Sequence, residues 1–401
     1  MANKISIRKP AILGGDKLFP ERLHNARSYV GAYEDLSAQV RSCIESGSLT
    51  KGRYLEEYES EVAAYAGVKH AVALSSCTTG LILTHDILEL KGEVIMPSFT
   101  FMATTLGAQW NNLKPVFVDI DAKTWNLDLD KVKEALTEDT CAIVGVHVFG
   151  SPADCSGLEK IATEAGVKLI FDSAHAFGAR ADGTVVGGNG VCEVFSTSAT
   201  KLLVTGEGGL VTTNDDYLAQ RLRRAREYGN IGDYNQRIPG LNGRLPEISA
   251  IIGLHSLKYL DEAIAHRNKL VKLFKESLAD VPGLHWQQIA DADLCTYKDL
   301  SCRIDAEQFG LSRDHLVLAL EAEGIEMRTY YHIPCHLQDY WQKNIGSDCY
   351  SLPLTENLSD NVVSFPLWSN MKERDITMVA QAVRQIHGWV DKIRLSQGSE
   401  Q

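Results

Sequence analysis

The sequence predicts an α/β fold in which a mostly parallel sheet lies between helices and is followed by a smaller α+β domain. Between residues 70 and 171, short apolar runs alternate with segments of helical spacing, which is the pattern of repeated β-α-β units. The apolar runs are nearly continuous, as expected for strands buried on both faces of a sheet. After about residue 216 this alternation stops and a longer helical stretch begins.

The chain begins with an arm and two helices. Gly14-Gly15 and Pro20 interrupt regular structure within the first 30 residues. Apolar residues then recur at helical spacing over 36–44 and again over 55–65, and each segment is followed by a glycine. Because glycine commonly ends helices, we expect one helix in each segment.

Strands and helices alternate through the next hundred residues. The runs with strand character are His70–Leu74, Glu93–Met96, Pro115–Val118, Cys141–Val148 and Val167–Phe171. The helical segments between them are Thr79–Leu90, Phe101–Trp110, Asp130–Thr137 and Ser156–Ala165. Since helical crossovers join parallel strands, this order predicts a parallel sheet with helices on both faces.

The last part of the chain follows a different pattern. A charged helix, Tyr217–Tyr228, precedes a loop of residues 229–246 that is rich in Gly, Asn and Pro. A long helical stretch from Pro246 to about Leu278 follows, and the remainder mixes strands and helices. The predicted units are an N-terminal arm (1–30), a large domain (31–250) and a small C-terminal domain (251–401).

Composition restricts the class of function. The net charge of −12 argues against a nucleic-acid binder, which needs a basic surface. No apolar run reaches the ~18 residues that span a bilayer, and the first ten residues lack the apolar core of a signal peptide. The nine cysteines include no C-x-x-C pair, which argues against a zinc ribbon or a disulfide framework. We therefore expect a cytoplasmic enzyme with reduced cysteines and no membrane partner.

A lysine within residues 195–201 carries the strongest chemical signal. This segment, FSTSATK, places Lys201 among small hydroxyl residues, and the glycine-rich turn TGEGG follows at 205–209. A lysine after a strand is usually a solvated surface residue. In a desolvated pocket its pKa falls and the neutral amine can form a Schiff base, while Ser196 could hydrogen-bond a phosphate.

Three further segments lie where predicted strands end, and ligands of open α/β sheets bind beyond such ends. In FDSAHAFGA (171–179), Asp172 either caps the next turn or pairs with a cationic ring nitrogen and keeps it protonated. In SSCTTGL (75–81), a helix begins that either has an ordinary cap or binds an anion. In PSFTF (97–101), Phe101 is either a core residue or stacks on a flat ring.

Together these four segments resemble the DegT/DnrJ/EryC1/StrS family of nucleotide-sugar aminotransferases. SSCTTGL is similar to the family's phosphate loop, PSFTF to its ring-stacking segment, FDSAHAFGA to its aspartate segment and FSTSATK to its lysine segment. The order and spacing of the four segments also match. The resemblance extends over about residues 10–390. The resemblance implies the fold type I of aspartate aminotransferase, with a large domain that binds pyridoxal 5′-phosphate (PLP) on a mostly parallel seven-stranded sheet.

The resemblance also implies roles for the matching residues. Lys201 would hold PLP as a Schiff base and move the proton, and Asp172 would pair with the ring nitrogen. The other cofactor contacts that it implies are His175 at the ring 3′-oxygen, Phe101 stacked on the ring, and Ser196, Thr78 and the backbone amides of Cys77 and Thr78 at the phosphate. Cys77 stands where the family usually has glycine. The prediction includes no metal site.

One implied cofactor contact comes from a second subunit. The segment GLNGR (240–244) fits the family's G-x-N-x-R, whose asparagine reaches the phosphate in the neighbouring active site. Asn242 would take that role, although alone it is typical of a turn residue. The resemblance therefore implies a homodimer with two shared active sites.

The substrate prediction depends on residues 327–336, MRTYYHIPCH. This segment is similar to the RRYFxPGCH form found in some dTDP-4-keto-6-deoxyhexose aminotransferases, which implies L-glutamate as donor, 2-oxoglutarate as product and amination of a nucleotide-linked keto-sugar at C4. Arg328 either binds the pyrophosphate or the glutamate carboxylate, or forms a surface ion pair. His336 either lines the sugar pocket or is structural.

Several alternatives stay open at this point. A sugar 3-dehydratase of the same fold would have histidine in place of Lys201. An enzyme that aminates C3 of a sugar or a cyclitol fits the same motifs. A non-catalytic sugar-binding or regulatory protein would not need both Lys201 and Asp172. A Rossmann dehydrogenase is least expected, because no G-x-G-x-x-G follows the first strand.

Overall fold

The structure is a computed structural model that describes residues 8–345 and 350–397. Residues 1–7 of the predicted N-terminal arm and residues 398–401 of the predicted small domain lie outside the described residues. The helices are α1 Tyr33–Ser46, α2 Arg53–Ala66, α3 Cys77–Ile87, α4 Met102–Trp110, α5 Leu129–Glu134, α6 Cys155–Ala165, α7 Asp216–Ala225, α8 Glu247–Lys258, α9 Leu260–Ser277, α10 Ala306–Phe309, α11 Arg313–Ala322, α12 Asp339–Ile345, α13 Pro353–Asn361, α14 Glu373–His387 and α15 Val390–Gln397. The strands are β1 His70–Leu74, β2 Glu93–Pro97, β3 Lys114–Val118, β4 Thr140–Val146, β5 Lys168–Asp172, β6 Arg180–Ala181, β7 Thr184–Val185, β8 Cys192–Ser196, β9 Gly209–Thr213, β10 Leu284–Trp286, β11 Leu300–Ile304 and β12 Val362–Phe365.

The large sheet has seven strands in the order β1-β9-β8-β5-β4-β2-β3. β9 runs antiparallel to both of its neighbours, and the other pairs are parallel. Strands β2, β4, β5 and β8 are almost entirely buried, because helices cover both faces. The predicted α/β fold with a mostly parallel sheet is confirmed, and the five predicted strands match β1–β5 with shifts of at most two residues.

The long helical stretch predicted from Pro246 to about Leu278 is confirmed, and the structure divides it into two helices, α8 and α9. The backbone leaves helical geometry at Tyr259, where φ is −105° and ψ is 5°. The Tyr259 ring packs edge-on against His255 and Tyr29. No Gly or Pro marks this break, so it depends on tertiary contacts that sequence periodicity does not report.

The C-terminal part contains a three-stranded antiparallel sheet, β10-β11-β12, with its own apolar core. The N-terminal arm packs into this core through Phe19 and Leu23. The buried Glu323 carboxylate holds the arm in place, because it accepts hydrogen bonds from the amides of Ala11 (2.7 Å) and Leu18 (2.8 Å). The three domain boundaries given above stay predictions.

The topology places several strand ends at one edge of the large sheet. The parallel strands β1, β2, β5 and β8 end there at Leu74, Pro97, Asp172 and Ser196, and the antiparallel β9 begins there at Gly209. Ligand sites in α/β proteins form at this carboxyl edge. The four segments singled out in the sequence therefore converge.

Candidate active site

A cavity of about 290 Å³ lies at this edge of the sheet. Its lining contains the predicted cofactor residues Cys77, Thr78, Phe101, Asp172, His175, Ser196 and Lys201. The small domain contributes Lys298, Asp299, Tyr330 and Tyr331 to the opposite side. The cavity therefore lies between the carboxyl edge of the large sheet and residues of the small domain.

Asp172 is a buried carboxylate at the inner end of the cavity. Its Oδ2 accepts a hydrogen bond from the Thr104 hydroxyl at 2.6 Å, and its Oδ1 accepts one from the amide of Ala174 at 3.1 Å. The Cys77 thiol lies 3.9 Å from the same Oδ1. Burial raises the pKa of Asp172 despite these donors, so a cation in the cavity would favour the ionised form.

The N-terminus of α3 forms a second wall. Ser76 caps this helix by accepting a hydrogen bond from the amide of Thr79 at 3.0 Å. The chain at Gly209 approaches the cap so closely that a Cβ there would lie 2.3 Å from the carbonyl carbon of Ser76 and 2.4 Å from the Cys77 nitrogen. The first amides of a helix have no partner within the helix, so Cys77 and Thr78 can present theirs to an anion.

Lys201 lies in the loop between β8 and β9. Its amide donates to the Ser198 carbonyl at 3.0 Å, and a hydroxyl pair between Thr197 and Thr205 (2.7 Å) holds the loop. The pKa of Lys201 is lowered to about 8, chiefly by burial and secondly by the charge of Lys298. The amine is therefore far more nucleophilic at neutral pH than a solvated lysine.

His175 and Phe101 lie on the remaining sides. Burial lowers the pKa of His175 well below its usual value, and the nearby charge of Lys201 adds to this, so its ring is neutral. The His175 ring stacks on Phe149 at a centroid distance of 6.4 Å, and its carbonyl accepts from the Thr296 hydroxyl at 2.7 Å. The Phe101 side chain is 51% exposed and is not part of the core.

Sequence reasoning missed an ion pair in the lining. Lys298 Nζ lies 2.9 and 3.1 Å from the two carboxylate oxygens of Asp299, and both side chains are buried. These residues lie about a hundred positions after Lys201 in a segment without a recognisable motif. Thr104 was also missed, because the segment predicted as helix 101–110 drew attention only through Phe101 at its start.

Asn242 does not line the cavity of its own chain. It is exposed and forms an isolated β-bridge with Glu227. Its predicted contact with a neighbouring subunit stays a prediction.

Neither predicted substrate residue lines the cavity in this chain. The half-exposed Arg328 forms an ion pair with Glu326. The His336 side chain is buried, with Nδ1 2.6 Å from the Ser98 hydroxyl and Nε2 3.3 Å from a Glu356 carboxylate oxygen. This position favours the structural interpretation of His336, and both substrate roles stay predictions.

The donors in this cavity fit PLP. Lys201 offers an amine with lowered pKa for an aldehyde, and Asp172 offers a buried carboxylate for a pyridine nitrogen. The N-terminus of α3 and the Ser196 hydroxyl at the end of β8 offer donors for a phosphate. Within residues 8–345 and 350–397, no group of three or more His, Cys, Asp or Glu side chains is placed to hold a metal ion.

Fold and site together define an α/β enzyme that uses pyridoxal 5′-phosphate. The model of the DegT/DnrJ/EryC1/StrS aminotransferase family matches residues 32–384 of the chain. The chain belongs to this family and is accordingly an aminotransferase. In the described part of the chain, no helix is both long enough and apolar enough to cross a membrane.

Similar proteins include enzymes that act on different nucleotide sugars. The dTDP-4-amino-4,6-dideoxy-D-glucose transaminase of Escherichia coli is 30% identical, over 82% of this chain and 89% of that protein. The UDP-N-acetyl-3-dehydro-alpha-D-glucosamine 3-aminotransferase of Acidithiobacillus ferrooxidans is 31% identical, over 88% and 95%. The crystal structure of DesI in the presence of its TDP-sugar product superimposes with a TM-score of 0.89 at 36% identity, over 98% and 99%.

Proposed function

We propose that this enzyme transfers the amino group of L-glutamate to C4 of a dTDP-4-keto-6-deoxyhexose, which yields a dTDP-linked 4-amino sugar. The similarity to DesI, whose structure was solved in the presence of a TDP-sugar product, carries the proposal, because it extends over 98% of this chain at 36% identity. The E. coli relative that acts on a dTDP-4-amino sugar supports the same nucleotide and position.

Lys201 and Asp172 divide the catalytic work in this proposal. PLP, when bound, supplies the electron sink that stabilises the electron pair left when the Cα–H bond of the amino donor breaks. The Lys201 amine would hold the cofactor through its aldehyde carbon, and the free amine would then take the proton from Cα of the amino donor. The Asp172 carboxylate would keep the ring nitrogen protonated, and the Thr104 hydroxyl positions this carboxylate by donating a 2.6 Å hydrogen bond to it.

The remaining cofactor residues bind rather than react. The amides of Cys77 and Thr78, with the hydroxyls of Thr78 and Ser196, would bind the phosphate at the N-terminus of α3. The exposed Phe101 ring would lose its contact with water by stacking on the cofactor, and the neutral His175 would hydrogen-bond the 3′-oxygen.

A homodimer is part of the proposal. Asn242 is exposed, and so are the apolar side chains of its neighbour Leu241 and of Tyr228 and Ile231 earlier in the same loop region. A second copy of the chain would cover these side chains and bring its Asn242 to the phosphate end of the first cavity. The cytoplasmic location expected from the sequence stays a prediction.

Incubation with L-[15N]glutamate and a set of keto-sugars tests the proposal. With dTDP-4-keto-6-deoxy-D-glucose we expect nuclear magnetic resonance to detect 15N bonded to C4 of the sugar. The UDP-linked 3-keto-sugar is the matched alternative, because the 31% identical A. ferrooxidans relative is a 3-aminotransferase. Label transferred only to the 3-keto-sugar would overturn the proposed position and nucleotide.

A further inference from the structure

We propose that Lys298 binds the α-carboxylate of the amino donor and that Asp299 positions Lys298 for this contact. This inference rests on the proposed function, because it assigns a role in the glutamate half of that reaction. It is carried by the position of the pair in the Lys201 cavity and by its burial.

The structure holds this ion pair in place from several directions. The Lys298 amide donates to the Phe149 carbonyl at 2.9 Å, which fastens this segment to the large domain. The buried Arg267 donates to the carbonyls of Tyr297 (2.9 Å) and Lys298 (3.3 Å). Tyr297 has a positive φ of 47°, which is uncommon for a residue other than glycine. The chain is therefore bent and anchored directly before Lys298 and Asp299.

A gain in stability does not by itself explain why the Lys298–Asp299 ion pair is buried. The two side chains are only 5% and 4% exposed, and a buried ion pair often stabilises a protein no more than apolar residues would. An ammonium group has three donors, and Asp299 accepts from Lys298 through two contacts. The arrangement leaves a donor of Lys298 for a further acceptor in the cavity.

The chemistry of the first substrate identifies that acceptor. The α-carboxylate of an amino acid is one bond from the Cα whose proton Lys201 must reach, so it has to lie in the same cavity as Lys201. Lys298 is the other lysine in the lining. Arg328, the residue considered for this carboxylate in the sequence, lies outside the lining and is paired with Glu326.

Asp299 explains how the same cavity accepts an uncharged sugar ring. When the keto-sugar replaces the amino acid, no carboxylate lies beside Lys298, and an unpaired buried charge would be costly. Asp299 keeps the ammonium paired in that state. The pair therefore allows one cavity to bind an anionic donor and an uncharged ring in turn.

Donor selectivity in the first half-reaction tests this inference. L-glutamate and L-isoglutamine differ only at the α-carboxylate, which is an amide in L-isoglutamine. The rate at which each donor removes the visible band of the lysine-bound cofactor gives kcat/KM for that donor. We expect the wild-type enzyme to prefer glutamate by roughly 10- to 150-fold, the range for a hydrogen bond to a charged group. In Lys298→Met the preference should fall below about 3-fold.

Lys275→Met is the matched control. Lys275 lies in the small domain over the rings of Trp286 and Tyr297 and does not line the cavity, so this variant should keep the wild-type preference. Melting temperature and PLP affinity identify a variant that is misfolded, and Lys298→Gln then replaces Lys298→Met.

The outcomes separate this inference from the proposed function. A Lys298 variant that keeps the preference for glutamate, or that slows both donors equally, overturns the inference and leaves the proposed function intact. A wild-type enzyme whose band no amino acid removes overturns the proposed function itself.

Discussion

Asp172, the proposed partner of the cofactor ring nitrogen, shows how neighbouring groups tune a buried carboxylate. Burial raises its pKa, whereas the Thr104 hydroxyl and the Ala174 amide favour its ionised form. The Cys77 thiol, whose own pKa is raised chiefly by burial, remains protonated and faces the same carboxylate. A pyridinium ring would add a positive charge that favours the ionised form of this buried carboxylate further.

Asp172→Asn tests the role of that charge. The amide keeps the shape of the carboxylate but cannot hold a proton on the ring nitrogen by charge, so we expect the glutamate half-reaction to slow roughly 10²- to 10³-fold. Thr104→Val is the control, since it removes one hydrogen bond and keeps the carboxylate, and should slow the step less than about tenfold. Equal rates for Asp172→Asn and the wild type in single-turnover measurements would contradict the assignment.

The lowered pKa of Lys201 predicts a particular pH dependence. Only the neutral amine attacks an aldehyde, so the rate at which cofactor-free protein captures PLP should rise with pH and level off above about 8. An unshifted lysine would continue to gain reactivity up to about pH 10.4. Stopped-flow absorbance measures this rate, and a free lysine analogue corrects for ionisation of the cofactor itself.

Lys298→Met provides the internal check on that profile. The charge of Lys298 lowers the pKa of Lys201, so removing it should move the plateau to higher pH. A plateau that stays in place would contradict the electrostatic coupling of the two lysines.

Local sequence revealed the site residues that follow strands, and it could not reveal those that arrive from elsewhere. Asp172 is the last residue of the buried strand β5 and Lys201 follows β8, and the polar and glycine-rich residues around them are visible in sequence. Lys298 and Asp299 reach the cavity only because the small domain folds over the sheet edge. His336 was ambiguous because a single histidine in a sequence does not disclose that both ring nitrogens have partners.

At the scale of elements, the site depends on how closely β9 approaches the start of α3. Five of the seven strands of the large sheet were predictable, because burial on both faces requires continuous apolar runs, as in β4. The predicted strands did not include β8 and β9, which flank the glycine-rich and hydroxyl-rich loop of Lys201. The break between α8 and α9 likewise arises from packing around Tyr259.

Gly209→Ala tests this close approach. The added Cβ would overlap the backbone of Ser76 and Cys77, so the start of α3 must move and its amides lose their alignment toward the phosphate. We expect weaker PLP binding and a stability loss of about 1–3 kcal/mol, as for overpacking. Gly188→Ala is the matched control, because its Cβ would make only an ordinary contact with Val68 at 3.4 Å. Equal PLP affinities of the two variants in equilibrium titration would contradict this account.

At the scale of the whole molecule, the cavity is lined by residues of the large sheet and of the C-terminal part of the same chain. We propose that a second chain completes this site. Asn242 does not line the cavity of its own chain, so the cofactor contact proposed for it requires a neighbouring subunit. Each active site would then combine Lys201 of one chain with Asn242 of the other.

Mixed dimers test this arrangement. In a hybrid of Lys201→Ala and Asn242→Ala chains, one site carries both changes and the other carries neither. Equal mixing with free exchange should therefore restore about a quarter of the wild-type activity at limiting PLP, because half of the dimers are hybrids with one intact site. No gain over the separate variants, or a monomeric protein in sedimentation, would contradict the shared site.

The visible absorbance spectrum before and after addition of L-glutamate tests the central claim most directly. We expect a band of lysine-bound cofactor in the purified or PLP-loaded protein, its loss on addition of L-glutamate, and its absence from Lys201→Ala. A wild-type protein that shows no band after incubation with PLP, or a Lys201→Ala protein that shows the same band and the same response to L-glutamate, would contradict it.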